Sequence, residues 1–438
     1  MGGPALSRLP NEVRDARESQ LRHERAIAPA PAARLSIRCE THSLSYTSQL
    51  NSHNIRKSVT HSESIKALTT PALLLSVERV RRNIARLRSH LQSLGVPLRP
   101  HLKTAKCAEV ARMVMTTAAG PATVSTLREA EQFAAAGVRD LLYAVGIGPD
   151  KLPRVLALRK NGIDLAIVLD SLDQARAVVA ACKDSQTRIP VLIEIDADDQ
   201  RAGLHPEDPR VIEIGRVLVQ GGAELRGVMS HSGGSYARAG ADSLRTAAEA
   251  ERSAAVSAAA ALRRADLPCA VVSVGSTPAA LFAQDLSGVT EVRAGVFVFF
   301  DLVMTGLGVC SIDEIAMSVL ATVIGHQTGK GWILVDAGWT ALSQDRGTAQ
   351  QAVDQGYGLV CDLAGVPYPD LIVTRVNQEH GIVSLRAGST AKLPDIAIGS
   401  RVRILPNHAC ATATQFDRYH VLNETDEGID VWQRFSGW

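Results

Sequence analysis

The chain has 438 residues, 46% of them apolar and 21% charged, with a formal net charge of +2. That length accommodates two domains and a large core, and the near-neutral balance lacks the broad basic field that a nucleic-acid partner requires. No apolar run reaches the ~20 residues that span a bilayer; the longest, Ala294 to Met304, is interrupted by Asp301.

Seven cysteines are scattered without a CxxC pair, a pattern of reduced thiols in a cytoplasmic protein and not of a disulfide framework. Residues 1 to 67 are rich in Ser, Arg, His and Pro-Ala and show weak periodicity, so they read as a disordered extension with one helix around Glu12 to Arg25. A secretory signal is excluded by the missing apolar stretch, and organellar targeting is disfavoured by Glu12, Asp15, Glu18 and Glu24.

From Thr70 onward strands and helices alternate. Ala72 to Val77 reads as a strand and Glu78 to Leu94 as a helix, with Val80, Ile84, Leu87, Leu91 and Leu94 at helical spacing before Gly95. Val96 to Lys103 is a predicted strand and Ala105 to Ala119 a predicted helix. Ala122–Ser125, Leu141–Val145, Ile163–Leu169, Val191–Asp196, Leu225–Ser230, Ala270–Val274 and Val289–Arg293 continue the strand series. Between them lie helices such as Arg128 to Ala136, Ser171 to Lys183 and the Ala-rich stretch from Ala241 to Arg264. This alternation predicts a (β/α)8 barrel over residues 68–310. Six later strand-like segments, from Ser318–His326 to Val431–Gln433, lack strong intervening helices and predict a β-rich C-terminal domain over 311–438.

In such a barrel the chemistry sits at the C-terminal ends of the strands. Lys103 ends one strand with His101 two residues before it on the same face. A partly desolvated lysine amine there can attack a carbonyl, as a Schiff-base lysine must, although the same spacing fits a surface lysine at a helix start. The segment Glu194-Ile-Asp-Ala-Asp-Asp-Gln-Arg201 delivers Arg201, which can bind a phenolic oxygen or a carboxylate; a solvated loop is the alternative. His231 and Tyr236 share a Gly-rich loop after the next strand. Gly275-Ser276-Thr277-Pro278 has the composition of an anion nest opening a helix, or of a simple capped turn. In the C-terminal part, His380 closes a strand. His408 and Cys410 stand two apart after an alternating apolar run. On an extended strand they would share one face, and the two together suit zinc, with substrate or water completing the coordination. A reactive lysine beside a phosphate nest and an oxygen-binding arginine fits a phosphorylated aldehyde, pyridoxal 5'-phosphate.

Six motifs carry a resemblance from about Thr70 to Trp438: Arg99-Pro-His-Leu-Lys-Thr104, Thr123-Val-Ser-Thr-Leu-Arg-Glu-Ala-Glu131, Val272-Ser-Val-Gly-Ser-Thr-Pro278, Val335-Asp-Ala-Gly338, Gln378-Glu-His-Gly381 and Pro406-Asn-His-Ala-Cys410. The chain resembles the fold-type III, alanine-racemase-like pyridoxal-phosphate enzymes. Within them it is similar to the branch of D-serine dehydratases, D-threo-3-hydroxyaspartate dehydratases and D-threonine aldolases. The resemblance implies that Lys103 carries the cofactor, that Arg201 lies near its 3-oxygen and Tyr236 near its pyridine nitrogen, and that Gly275, Ser276 and Thr277 hold its phosphate. It implies a divalent metal on His408 and Cys410, zinc foremost with manganese or magnesium as alternatives, and a homodimer. His101, His231 and His380 are auxiliary candidates. The implied activity is dehydration and deamination of a D-3-hydroxy amino acid, with retro-aldol cleavage as the alternative. Cys410 favours the dehydratase, since aldolases of this group can carry Asp at that position.

Overall fold

The computed structural model describes residues 63–423 and 428–438. The expected disorder and helix before residue 63 lie outside the described residues, and residues 63–66 are helical.

The first strand, β1 (Ala72–Ser76), leads into a helix, Val77–Ser93. Ser76 caps that helix by accepting from Arg79 N, and Val80, Ile84, Leu87 and Leu91 form its buried stripe. Eight parallel strands follow: β2 (Leu98–Pro100), β3 (Ala122–Val124), β4 (Asp140–Gly146), β5 (Asp164–Leu169), β6 (Pro190–Ile195), β7 (Glu224–Ser230), β8 (Val271–Val274) and β9 (Glu291–Ala294). They pair in the order β2-β9-β8-β7-β6-β5-β4-β3. A parallel bridge between His101 and Thr123 all but closes the ring between β2 and β3. Side chains alternate inward and outward along each strand. The interior is therefore apolar on one level, where Leu142, Ala166, Val168, Leu192 and Met229 cluster. It turns polar two residues further on, with Glu194, Ser273 and Arg293 buried at 5%, 0% and 3% exposure.

The remaining strands are β10 (Met317–Gln327), β11 (Trp332–Val335), β12 (Gly358–Cys361), β13 (Pro367–Val376), β14 (Gly381–Leu385), β15 (Arg401–Pro406), β16 (Arg418–Leu422) and β17 (Ile429–Gln433). They form one nine-stranded sheet, β11-β14-β13-β12-β15-β10-β1-β16-β17. The ninth member is β1, which corrects its expected place in the barrel series. It runs antiparallel to β10 and parallel to β16, and Leu73, Leu74 and Leu75 are wholly buried. Burying each leucine is worth ~1.5–3 kcal/mol, so β1 ties the strands near the C-terminus to the barrel.

Two further differences bear on the site. The expected strand through Lys103 stops at Pro100, and the expected helix from Ala105 starts at Ala108. Residues 101–106 are instead a turn in which Lys106 adopts a φ of 45°. The short strands β12 and β16 went unpredicted. Among the described residues, no helix is long and apolar enough to cross a membrane.

Candidate active site

A cavity of about 430 Å³ opens where the barrel's strand ends meet the second sheet. Its lining includes His101, Lys103, Arg201, His231, Tyr236, Gly275, Ser276, Thr277, His408 and Cys410. Ten of the eleven candidate residues therefore converge from five separate segments of the chain. His380 does not join them. It is exposed in the turn between β13 and β14, where Asn377 N donates to its carbonyl.

Lys103 is half-buried in the turn after β2, and its own amide lies 3.4 Å from His101 Nδ1. Burial and the neighbouring Lys103 charge hold His101 well below the usual imidazole range, so it is neutral. The same holds for His231, pushed down to about 3 by burial and by Arg293. His231 Nδ1 donates to Gly275 O at 2.8 Å, which makes Nε2 the free acceptor. Tyr236 also lines the cavity, and its burial raises the phenol's pKa, leaving the hydroxyl protonated at neutral pH.

At the end of β8 the backbone of Gly275 has a φ of +141°, and a Cβ there would sit 2.0 Å from Arg293 O. Only glycine permits that approach. The Gly275 amide, however, donates to Glu251 Oε1 at 2.9 Å, and that same oxygen takes the Ser232 amide at 3.0 Å. Gly275 thus shapes the cavity wall beside Ser276 and Thr277 with its own amide already engaged. Ser276 caps the helix Thr277–Phe282, and its hydroxyl meets Ser235 Oγ at 2.9 Å. Arg201 lines the cavity from an exposed loop held by Asp196 Oδ1, which accepts from the amides of Asp198 and Asp199. Asp196, Asp199 and His205 could together approach one cation, but two of the three are exposed and the Asp196 oxygen is already engaged by the loop's own amides.

The opposite wall comes from the second sheet. His408 and Cys410 do not lie on a strand. His408 is the N-cap of the helix Ala409–Ala413, and Cys410 sits in its first turn. The pair still meets, because a cap residue and the first helical turn fold toward each other. His408 Nδ1 pairs with Asp345 Oδ2 at 2.6 Å, so Nε2 is left for a ligand. Asp301, 1% exposed, accepts from Met304 N with one oxygen and from Ala409 N, between the two candidate ligands, with the other. Thr104 Oγ1 lies 3.2 Å from Cys410 Sγ and joins this wall to the Lys103 turn.

The thiols separate cleanly. Burial pushes Cys107, Cys310 and Cys361 up to about 12 and Cys269 up to about 11, and raises Cys182. For Cys410 burial acts in the same direction, but the hydrogen bond and charge of His408 and the charge of Lys103 outweigh it and lower the thiol. Burial disfavours a charge on His408 too, yet the bonds to Asp345 and Cys410 raise it to about 11. A thiolate beside an imidazole that a carboxylate orients is a donor set that a divalent metal can take over by displacing the imidazole proton. Asp301, Asp345, Thr104 and Arg293 are site residues that sequence reasoning missed. Only Asp301 left a trace, as the lone charge in an apolar run.

A parallel barrel with a lysine at its mouth, a glycine-shaped cradle on a late strand, and a His/Cys pair supplied by a β-rich domain mark the class of alanine-racemase-like barrel enzymes. Residues 75–303 match the alanine racemase N-terminal domain, and residues 316–422 match the serine dehydratase domain. A D-threo-3-hydroxyaspartate dehydratase from Delftia sp. is 51% identical over 381 residues, covering 86% of this chain and all of the relative. Its solved structure superposes with a TM-score of 0.82 at 50% identity, over 85% of this chain and 99% of that one. The same enzyme activity heads structures of a histidine-to-alanine variant and, in metal-free form, of a cysteine-to-alanine variant two positions further on. A D-serine dehydratase from Dictyostelium discoideum is 29% identical over 397 residues (86% of this chain, 99% of the relative). A D-threonine aldolase from Arthrobacter sp. is 26% identical over 381 residues (85% and 93%). The chain belongs to the alanine-racemase-like family of pyridoxal-phosphate enzymes, in its D-serine dehydratase branch.

Proposed function

We propose that the protein dehydrates and deaminates a D-3-hydroxy amino acid of the D-threo-3-hydroxyaspartate class, giving a 2-oxo acid and ammonia. The observation that carries this reading is the convergence of Lys103 with the His408/Cys410 pair on one cavity of about 430 Å³, Cys410 being the lowered thiol. Similarity to the Delftia enzyme supports the substrate class.

When bound, pyridoxal phosphate supplies an electron sink for charge at Cα, and a divalent metal supplies a Lewis acid for the departing β-hydroxyl. Lys103 Nζ would hold the cofactor's aldehyde carbon and is the amine placed to take the Cα proton. Ser276 and Thr277, beside the Gly275 cradle, hold the phosphate. Arg201 would hold the cofactor's 3-oxygen, and Tyr236 would face its pyridine nitrogen. Neutral His101 and His231 add no positive charge that would compete with the substrate amine for its place. His408 Nε2 and Cys410 Sγ ligate the metal, for which a thiolate donor favours zinc over manganese or magnesium. Expelling hydroxide needs that assistance, whereas retro-aldol cleavage needs the same hydroxyl deprotonated and retained.

The family resemblance points to a homodimer, the scattered cysteines to a cytoplasmic protein, and the change of pattern to a barrel unit ending near residue 310 with a β-rich unit beyond it. Incubation with D-threo-3-hydroxyaspartate, D-serine and D-threonine tests the reading. Ammonia without glycine is the expected result; glycine and an aldehyde in equal amounts would replace the dehydratase with the aldolase.

A further inference from the structure

Arg434 is 7% exposed, and among the described residues no carboxylate pairs with it. A guanidinium in that position costs several kcal/mol unless its donors are spent on oxygen acceptors. Here they are. Nε donates to Ala105 O at 3.0 Å and to Tyr419 Oη at 2.8 Å. Nη1 donates to Phe416 O at 2.6 Å and to Ala413 O. Tyr419 Oη donates in turn to Ala105 O at 2.8 Å, so that one carbonyl receives two bonds. Its phenol is held protonated by burial, which keeps it a donor.

The two groups of carbonyls belong to the two halves of the active site. Ala105 is two residues beyond Lys103 and next to Thr104, whose hydroxyl touches Cys410 Sγ. Ala413 ends the short helix that has His408 as its cap and Cys410 in its first turn, and Phe416 follows it closely. The neighbouring backbone repeats the link, since Phe435 N donates to Lys106 O at 3.1 Å and Arg434 N to Asp417 O at 2.7 Å. The guanidinium also stacks over the Tyr419 ring, 5.3 Å from its centroid.

We infer that Arg434 is a positioning residue: it fixes the separation between the Lys103 turn and the Cys410 helix, and thereby between the amine that handles the Cα proton and the metal ligands that handle the β-hydroxyl. This inference rests on the function proposed above. An elimination in which the Cα–H bond breaks toward the Lys103 amine and the Cβ–O bond breaks toward the metal side, with a Cα=Cβ double bond left between them, is sensitive to that separation, because a misplacement of about 1 Å can cost on the order of 100-fold in rate. A planar fork with several fixed donors can span two backbone segments; a lysine ammonium at the end of a flexible stem cannot do so with the same geometry.

The test uses Arg434→Met, Arg434→Lys and Tyr419→Phe in the full chain. Four quantities are measured: the pyridoxal-phosphate absorbance, the dissociation constant for zinc added alone to chelator-treated protein, kcat and KM, and the melting temperature. Arg434→Met is expected to keep the cofactor band. It should weaken zinc binding by about tenfold, the low end for an outer-shell partner, and lower kcat more than it changes KM. Arg434→Lys should fail to restore either quantity, and Tyr419→Phe should shift both in the same direction by less. A lower melting temperature with zinc affinity and kcat intact overturns the inference and leaves Arg434 as a fold-stabilising residue only. Should Arg434→Met not fold, Tyr419→Phe decides, and unchanged zinc affinity and kcat there overturn it equally. A wild-type protein that binds neither zinc nor pyridoxal phosphate sinks the underlying reading of the site instead.

Discussion

The two walls of the cavity solve the same problem by opposite means. The barrel wall is electropositive: Lys103 and His101 from the turn after β2, His231 from the end of β7 and the buried Arg293 from β9, with both histidines neutral. The buried carboxylate of Glu251 is outside the cavity lining and holds the loop amides of Ser232 and Gly275. The second wall is acid-backed. Its imidazole is oriented by Asp345, its backbone is fixed by Asp301, and its thiol is lowered. The contrast shows why the chain joins two folds in one site. Neutral imidazoles and a reactive amine need desolvation, whereas a metal pair needs fixed anionic partners.

Removing the central group of each wall separates their roles most sharply. Lys103→Ala is expected to abolish activity and the absorbance of protein-linked pyridoxal phosphate at roughly 410–430 nm, while zinc still binds at His408 and Cys410. A persisting band would remove Lys103 from its assigned role. Cys410→Ala should do the reverse: the band survives, zinc binding is lost, and kcat falls by on the order of 10²–10³, as when one stabiliser of developing charge is deleted. Full activity after chelation of the wild type would break the contrast between the walls altogether.

Asp345→Asn is a milder probe of the acid-backed wall. The amide can keep the bond to His408 Nδ1 but no longer carries the charge that stabilises it. Zinc affinity should fall by about 10–100-fold with the cofactor band unchanged. Titration of the chelated protein with zinc alone checks this, and an unchanged affinity would mean that the ring is held by its cap position at the helix Ala409–Ala413.

How much of this was readable beforehand follows the same division. The barrel strands announce themselves as short apolar runs ending in polar residues, so Lys103, Arg201, His231 and Gly275 could be placed at a common mouth from local pattern alone. The apolar run of β1 carries no mark of which sheet it joins, because a buried strand looks alike in either. β12 has only four residues, and β16 reads as a mixed polar segment. Asp345 and Asp301 escaped because their partners lie 63 and 108 residues away. The extended geometry expected for His408 and Cys410 failed where the chain turns into a helix one residue after the histidine, a turn that Ala-Cys-Ala-Thr-Ala permits but does not announce.

The smallest expected effect concerns the barrel wall's hidden carboxylate. Burial raises Glu251 from an ordinary value of 4.5 to about 7, against the pull of the Gly275 and Ser232 amides and the Arg293 charge. A raised carboxyl pKa means that the folded state binds its proton more tightly than the unfolded chain does. The stabilisation is therefore complete below about pH 4.5 and is lost as pH rises through about 7, a swing on the order of 3 kcal/mol at most. Melting temperatures measured from pH 5 to 8 should fall with rising pH more steeply in the wild type than in Glu251→Gln. That variant has no proton to lose, and one amide oxygen can still accept from both loop amides, as Glu251 Oε1 does now. Parallel curves for the two proteins would show that Glu251 does not titrate in this range, and the loop that shapes the phosphate cradle would then be anchored by a carboxyl whose charge state is constant.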